Sequence, residues 1–193
     1  MELVGNHFYF IRHGETAWNA LRLCQGQRDV PLSERGRAST VALAQKLAEF
    51  SFECICTSPL ERARHTAELI QQYQQSARIY LVKELMERNW GELEGIGSEK
   101  MYEIEKNEES ERNFIPGFAI EDRNAFKNRI VQGLNIAFTY HSSPLIISHG
   151  RLFLSLCEIL NMPLVRQVDN LVLLELKNDE GRWSCTTVNL KRL

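Results

Sequence analysis

The sequence predicts a three-layer α/β/α sandwich built around a mixed, mostly parallel sheet. Segments with helical periodicity separate short apolar runs typical of strands, which lie near residues 7–11, 53–57, 79–82, 144–148, 168–176 and 183–189. Strands that alternate with helices usually form a parallel sheet with helices on both faces. The last two runs follow each other without a long helical crossover, so this end of the sheet is predicted to be antiparallel.

Polar residues that cap helices mark where the first helices are expected to begin. Ser33 precedes a pattern that predicts a helix to about Phe50. Ser58 followed by Pro59 is typical of an N-cap with a proline in the first turn, and the pattern predicts a helix to about Gln74.

Two later helices are predicted in the same way. Asp122 is placed to cap the first of them, and Gly150 begins a second that runs through Leu160. The apolar face of the first is formed by residues at helical spacing, Phe126, Ile130, Leu134 and Ala137. With 193 residues and no repeat, low-complexity tract or linker, residues 1–193 are predicted to form a single domain.

Composition and charge exclude several classes of protein. Hydrophobic residues make up 44% of the chain and charged residues 25%, and the net charge is −2. No broad cationic face is therefore expected for nucleic acid or an anionic membrane. No apolar run approaches a membrane-spanning length, and the N-terminus lacks the pattern of a signal peptide.

The cysteines indicate a reducing compartment. The chain has five cysteines, an odd number, and they form no Cys-x-x-Cys motif. They are Cys24, Cys54, Cys56, Cys157 and Cys185. This usage is typical of free thiols rather than of a disulfide framework. Together with the absence of a targeting pattern, it predicts a cytoplasmic protein.

The most informative stretch is the end of the first predicted strand, at Arg12, His13 and Gly14. Active sites of α/β proteins usually lie at the carboxyl ends of strands. Arginine presents a planar fork of donors to phosphate oxygens, and histidine can be a nucleophile near neutral pH. Glycine lets the backbone approach a substrate closely. The motif indicates attack on a phosphate group.

Three further motifs follow in order. Residues 57–67 follow the second apolar run and open a helix, residues 85–95 follow the third, and residues 145–150 end the fourth. In this order the four motifs resemble the histidine phosphatase superfamily, also called phosphoglycerate mutase-like, from about residue 7 to about residue 175. The resemblance implies a phosphoglycerate mutase-like fold with a small cap, for which residues 97–121 are the candidate.

Chemistry and resemblance together assign catalytic roles to five residues. His13 is the implied nucleophile, and its other ring nitrogen should be held by an acceptor such as a backbone carbonyl. Arg12 and Arg62 are implied to clamp the phosphoryl oxygens. His149 is expected to be cationic and to hydrogen-bond the transferring group. Glu87 is the implied general acid that protonates the leaving alkoxide.

Other carboxylates compete for the role of the acid. Residues 87–91 resemble the proton-donor segment of the family, which favours Glu87. The rivals nearby are Glu84, Glu92 and Glu94.

A second set of residues is implied to contact phosphate and substrate oxygens. Its members have polar side chains or an open backbone: Thr16, Asn19, Gln25, Gly26 and Gly150. Asn170 fits a further family position. For these residues a purely structural role is the alternative.

The candidate cap has two readings. Residues 97–112 are rich in glutamate, which is typical of a solvated helix, but the family places its substrate-selecting insertion here. Phe114 and Phe118 could line a substrate pocket or simply pack.

The sequence departs from the family at several positions. Leu23 stands where many members have arginine, and Arg22 precedes it, so the orientation of Arg22 toward the pocket is open. Trp90 replaces the tyrosine usual in the mutases. Mutases carry a basic insertion that grips a carboxylate and a second phosphate, whereas the segment here is short and acidic. The resemblance therefore favours a phosphatase over a mutase.

The sequence thus predicts a phosphomonoesterase that acts on small phosphorylated metabolites through a covalent phosphohistidine, with no metal and no cofactor. A phosphoglycerate mutase is the first alternative. A non-catalytic regulator that binds a phosphorylated ligand is the second, and a phosphohistidine-protein phosphatase is also open. A homodimer through an exposed strand is common among relatives, but no residue specifies it.

Overall fold

A computed structural model describes residues 2–111, 115, 117–163 and 167–190. The strands are β1 (His7–Arg12), β2 (Cys54–Thr57), β3 (Arg78–Leu81), β4 (Leu145–Ser148), β5 (Leu173–Asp179) and β6 (Arg182–Thr187). The helices are α1 (Ala17–Ala20), α2 (Glu34–Leu47), α3 (Glu61–Gln71), α4 (Glu99–Ser110), α5 (Arg123–Tyr140) and α6 (Gly150–Ile159). Short 3-10 turns lie at Lys83–Leu85 and Gly91–Leu93.

The sheet has the order β3-β2-β4-β1-β5-β6. The strands from β3 to β1 are parallel, while β5 is antiparallel to both β1 and β6. Successive residues of β1 point to opposite faces, so Phe10 joins the core beneath α5 and α6, and Ile11 joins the core beneath α2 and α3. The predicted three-layer sandwich with an antiparallel end is confirmed.

Two of the predicted helix caps are observed. The Ser33 hydroxyl accepts a hydrogen bond from the Gly36 N–H at 2.9 Å, and the Asp122 carboxylate accepts from the N–H groups of Asn124 and Ala125. Each satisfies donors that the first helical turn leaves free.

The predicted start of α3 is wrong. Helix α3 begins at Glu61 rather than at Pro59. The Ser58 hydroxyl accepts a hydrogen bond from the Leu60 N–H and so closes a turn that precedes the helix. The Glu61 N–H instead donates to the Asp29 carboxylate at 2.6 Å, a partner 32 residues away. Local sequence could not reveal a cap supplied from so far along the chain.

The predicted fifth strand also begins too early. Strand β5 begins at Leu173, five residues after the start of the apolar run, and continues to Asp179. The backbone of Leu171 has a φ of 62°, which interrupts an extended conformation, and its N–H donates to the Arg12 carbonyl. The residues before β5 therefore pass the end of β1 instead of pairing as a strand.

Pairing between β1 and β4 places the sequence motifs side by side. Arg12 is in register with Ser148, and the His13 N–H donates to the Ser148 carbonyl at 3.0 Å. The residue after each strand, His13 and His149, thus emerges at the same edge of the sheet, where β2 also ends.

Helix α4 covers this edge, so the solvated-helix reading holds only for its outer face. Met101 and Ile104 are buried against Trp90 and Leu93. On the same helix, the Glu108 carboxylate forms a bidentate ion pair with the Arg88 guanidinium at 2.5 and 2.8 Å, and both side chains are under 10% exposed.

The structure also bears on the expectations about Phe114 and Phe118, the cysteines and membrane-spanning helices. Phe118 is 44% exposed, and Phe114 lies outside the described residues. The five cysteines are free thiols, and Cys185 is the exposed one. Within the described ranges, no helix combines the length and apolar character needed to cross a membrane.

Replacing Glu108 with alanine should cost about 3 kcal/mol of the free energy of unfolding, because it leaves the buried Arg88 guanidinium without its carboxylate. Equilibrium unfolding in urea measures this loss. Glu103→Ala is the matched control, since Glu103 lies on the same helix in an exposed pair with Lys100. Its effect should stay within about 0.5 kcal/mol. Equal losses in the two variants would contradict a structural role for the buried pair.

Candidate active site

A cavity of about 610 Å³ opens at the carboxyl edge of β1, β2 and β4. Eight of the ten site residues predicted from sequence line it: Arg12, His13, Asn19, Gln25, Gly26, Arg62, Glu87 and Gly150. Asn170 also lines it. Thr16 and His149 are fully buried just outside the lining.

His13 is held in one orientation and one protonation state. Its Nδ1 lies 2.7 Å from the Gly14 carbonyl oxygen, which can only accept, so Nδ1 carries the proton and Nε2 has an unprotonated lone pair. The Arg62 Nε–H donates to that lone pair at 3.3 Å. Burial, with the charges of Arg62 and Arg12, holds the pKa of His13 well below 6.5. The imidazole is therefore neutral at neutral pH, as a nucleophile requires.

Two guanidinium groups converge on this imidazole. Arg62 is anchored by its Nη atoms, which donate to the carbonyls of Arg28 and Gly26 at 2.8 and 2.7 Å. Burial lowers its pKa to about 10, so it stays charged. Arg12 donates from Nη1 to the Val168 carbonyl, while its buried Nε has no partner among the described residues. That free donor suits an anion in the cavity.

Gly26 places its carbonyl on Arg62 by adopting a left-handed backbone, with φ of 51°. A Cβ there would also meet the Glu94 side chain, which would have to shift. The backbone conformation at this position favours glycine.

Without a bound anion, the surroundings of His149 disfavour the cation that the sequence leads us to expect. Burial, together with the charges of Arg62, His13 and Arg12, holds the pKa of His149 well below 6.5. The His149 ring lies beside that of His13, with centroids 5.2 Å apart, and neither of its nitrogens has a partner among the described residues. With the protein's own charges alone, His149 is neutral, because protonation would add a cation beside two arginines.

Glu87 occupies the N-terminus of α6. Its Oε1 accepts from the N–H groups of Arg88 and Leu152, and its Oε2 accepts from that of Arg151, all at 3.0 Å. The positive end of a helix stabilises a carboxylate, and these three hydrogen bonds fix both oxygens at the wall of the cavity.

The rival carboxylates do not reach the site. Glu84 lines a separate cavity of about 380 Å³, and Glu92 is exposed. Glu94 accepts from the N–H groups of Gln27 and Trp90 and does not line the cavity of the site. Of the four carboxylates considered from sequence, Glu87 alone faces it.

Thr16 has a supporting place rather than one on the cavity. It is fully buried, and its hydroxyl caps α1 by accepting the Asn19 N–H at 3.1 Å. The same hydroxyl lies 3.0 Å from the Gln25 Oε1 and can donate to it. The predicted contact of Thr16 with substrate is replaced by contacts that orient Asn19 and Gln25, which do line the cavity.

Arg22, whose orientation the sequence left open, lines the cavity, and its backbone φ of 55° is unusual for arginine. The sequence did not single out two further residues that line the cavity. Arg151 and Tyr102 line it together, with the guanidinium 4.9 Å from the ring centroid. Arg151 directly follows the last motif, so its place in the sequence could have indicated that it lies at the site. Tyr102 comes from α4, where no motif indicates a residue of the site.

No group of three or more His, Cys, Asp or Glu side chains within the described ranges is arranged to hold a metal ion. The cations that face the cavity are arginines, namely Arg12, Arg22, Arg62 and Arg151.

Comparisons with known proteins agree with this geometry. The sequence model of the histidine phosphatase superfamily (branch 1) matches residues 8–191. "Uncharacterized phosphatase PhoE" of Bacillus subtilis is 34% identical over 143 residues, which cover 72% of this chain and 69% of the relative. "Probable phosphoglycerate mutase GpmB" of Escherichia fergusonii is 34% identical over 157 residues, covering 74% and 68%.

Solved structures show the same fold. The alpha-ribazole phosphatase from Shigella flexneri is 25% identical, with a TM-score of 0.76 and coverage of 95% of this chain and 96% of that chain. A phosphoglycerate mutase from Bacillus anthracis is 25% identical, with a TM-score of 0.75 and coverage of 95% and 93%. The chain therefore belongs to branch 1 of the histidine phosphatase superfamily.

Proposed function

We propose that this chain is a phosphomonoesterase that works through a covalent phosphohistidine at His13, without a metal ion, on small phosphorylated metabolites. The observation that carries the proposal is the state of His13: its Nδ1–H donates to a backbone carbonyl, and its Nε2, which accepts from Arg62, is unprotonated in a cavity that Arg12 and Arg62 also line. The phosphatase names among the relatives support it.

In the proposed first step, Nε2 of His13 attacks phosphorus and the bond to the leaving oxygen breaks. Arg12 and Arg62 stabilise the charge on the equatorial oxygens, and Glu87 gives a proton to the leaving alkoxide. In the second step, water attacks the phosphohistidine, the P–N bond breaks, and Glu87 takes the water's proton. Free phosphate leaves and the neutral imidazole is restored.

Phosphoglycerate mutase chemistry is the second candidate, and the names of the GpmB relatives favour it. The two candidates differ in the fate of the phosphohistidine, which a mutase passes to another hydroxyl and a phosphatase passes to water. Interconversion of 2- and 3-phosphoglycerate, measured beside phosphate release, separates them. A protein that binds phosphate esters but turns over none of them would instead be the regulator.

His13→Ala should abolish phosphate release from a panel of phosphomonoesters, by about 10³-fold or more, because no other group at the site replaces the nucleophile. Wild-type activity should persist in chelator. A phosphohistidine is stable in alkali and labile in acid. Mass spectrometry of enzyme quenched in alkali during turnover should therefore show one added phosphoryl group, which acid removes and which is absent from His13→Ala. Activity retained in the variant would refute the mechanism.

Glu87→Gln should lower kcat for alkyl phosphates by about 10²–10⁴-fold, since their alkoxides need a proton on departure. The loss should be much smaller for p-nitrophenyl phosphate, whose leaving group is already a weak base. Glu84→Gln is the matched control: Glu84 lies outside the site, and its activity should change less than about twofold. An equal loss on both substrates would argue against Glu87 as the acid.

Binding of inorganic phosphate at pH 8 should be accompanied by proton uptake at His149. Without a bound anion its pKa is held low by burial and the two arginines, and a dianion beside it reverses the sign of the local field. Calorimetry in buffers of different ionisation enthalpy measures the uptake. It should disappear in His149→Gln and persist in Glu87→Gln; the reverse pattern would assign the proton to Glu87.

A further inference from the structure

Two arginines line the cavity besides the pair that flanks His13, namely Arg22 and Arg151. Arg151 lies on the first turn of α6, one residue after Gly150. Only its backbone N–H serves Glu87, so its guanidinium makes its contacts elsewhere. An arginine in this position is suited to grip a carboxylate on the leaving group of a substrate.

The guanidinium of Arg151 already forms an ion pair with Glu105 of helix α4. Its Nε lies 3.1 Å from the Glu105 Oε1, and its Cζ lies over the ring of Tyr102, three residues earlier on the same helix. The two charged side chains are only 16% and 24% exposed. At this burial an ion pair interacts more strongly than a solvated surface pair.

Resting on the proposed phosphatase activity, we propose that Glu105 selects the substrate class by neutralising Arg151. The site then accepts phosphate esters of uncharged alcohols, such as polyols and sugars, and rejects esters whose leaving group carries a carboxylate. A carboxylate entering this region meets the negative charge of Glu105 and must displace it from Arg151. An uncharged hydroxylated group does neither and can pack on Trp18 and Leu154 of the lining.

This selection should weaken as the pH falls. Burial raises the pKa of Glu105 to about 7, against the opposing charges of Arg151 and Arg88 and with help from Glu87 and Glu108. Above pH 7 the carboxylate is ionised and holds Arg151. Below pH 7 it takes up a proton, and Arg151 becomes free for a substrate carboxylate.

Glycerol 3-phosphate and 3-phosphoglycerate form a matched pair of probes. They share the phosphate and the carbon skeleton and differ only in a hydroxymethyl group against a carboxylate. The ratio of their Kd values therefore cancels contributions from the phosphate, including its own titration. Calorimetry on proteins that also carry His13→Ala measures binding without turnover, so the result does not depend on the proposed activity.

With Glu105 intact at pH 8, glycerol 3-phosphate should bind more tightly than 3-phosphoglycerate. Glu105→Gln should shift the ratio toward 3-phosphoglycerate by about tenfold, and lowering the pH from 8 to 6 should shift it the same way only when Glu105 is present. Glu103→Gln is the control, because it removes an equal charge from an exposed position on the same helix. It should leave the ratio within about twofold.

Adding Arg151→Met to Glu105→Gln should remove the gain, since the freed guanidinium is what binds the carboxylate. A ratio unchanged by Glu105→Gln, or a gain that survives Arg151→Met, would overturn the inference. Phosphate release by the protein with His13 intact is measured in parallel. If Glu105→Gln shifts the ratio of Kd values but no substrate is hydrolysed, the phosphatase activity is refuted and selection by Glu105 stands. If substrates are hydrolysed but the ratio does not shift, selection by Glu105 is refuted and the phosphatase activity stands.

Discussion

The hydrogen bond between Nδ1 of His13 and the carbonyl of Gly14 is the interaction on which the rest of the site depends. It leaves the Nε2 lone pair facing the cavity, and it holds only if Gly14 cannot move. The Gly14 N–H donates to the Thr66 hydroxyl at 3.0 Å, and a Cβ at Gly14 would lie 2.6 Å from the Thr40 Oγ1. Helices α2 and α3 thus clamp the backbone that orients the proposed nucleophile.

The segment that carries Glu87 is fixed by side chains rather than by regular secondary structure. Arg129 of α5 donates to three backbone carbonyls of this segment, and its guanidinium also forms a bidentate pair with Glu121. Arg88, the next residue, donates to the Glu121 carbonyl and pairs with Glu108 of the cap helix. Arg88 therefore links the segment of the proposed acid to helix α4.

The position of the site could be predicted where its determinant is local. Arg12, His13 and Gly14 end a strand, and parallel pairing brings such strand ends to the edge of the sheet where the cavity lies. The nucleophilic role of His13 stays a prediction. The cap that Asp29 gives to α3, and the Arg151–Glu105 pair, join residues 32 and 46 positions apart. No local pattern encodes them. For Thr16 the sequence left a contact with substrate and a structural role open, because a hydroxyl near a motif can serve either, and the structure shows its hydroxyl in the cap of α1.

The charge state of the site follows from its own composition. Burial, together with the field of Arg62 and Arg12, holds the pKa of both His13 and His149 low and keeps the two imidazoles neutral. For His13 this field helps the proposed attack, because a protonated imidazole has no lone pair to offer. For His149 the same field opposes a charge that a bound phosphoryl dianion would favour, so we expect the cation to form only when the anion binds. The surroundings that keep the proposed nucleophile neutral would thus make protonation of its neighbour depend on substrate.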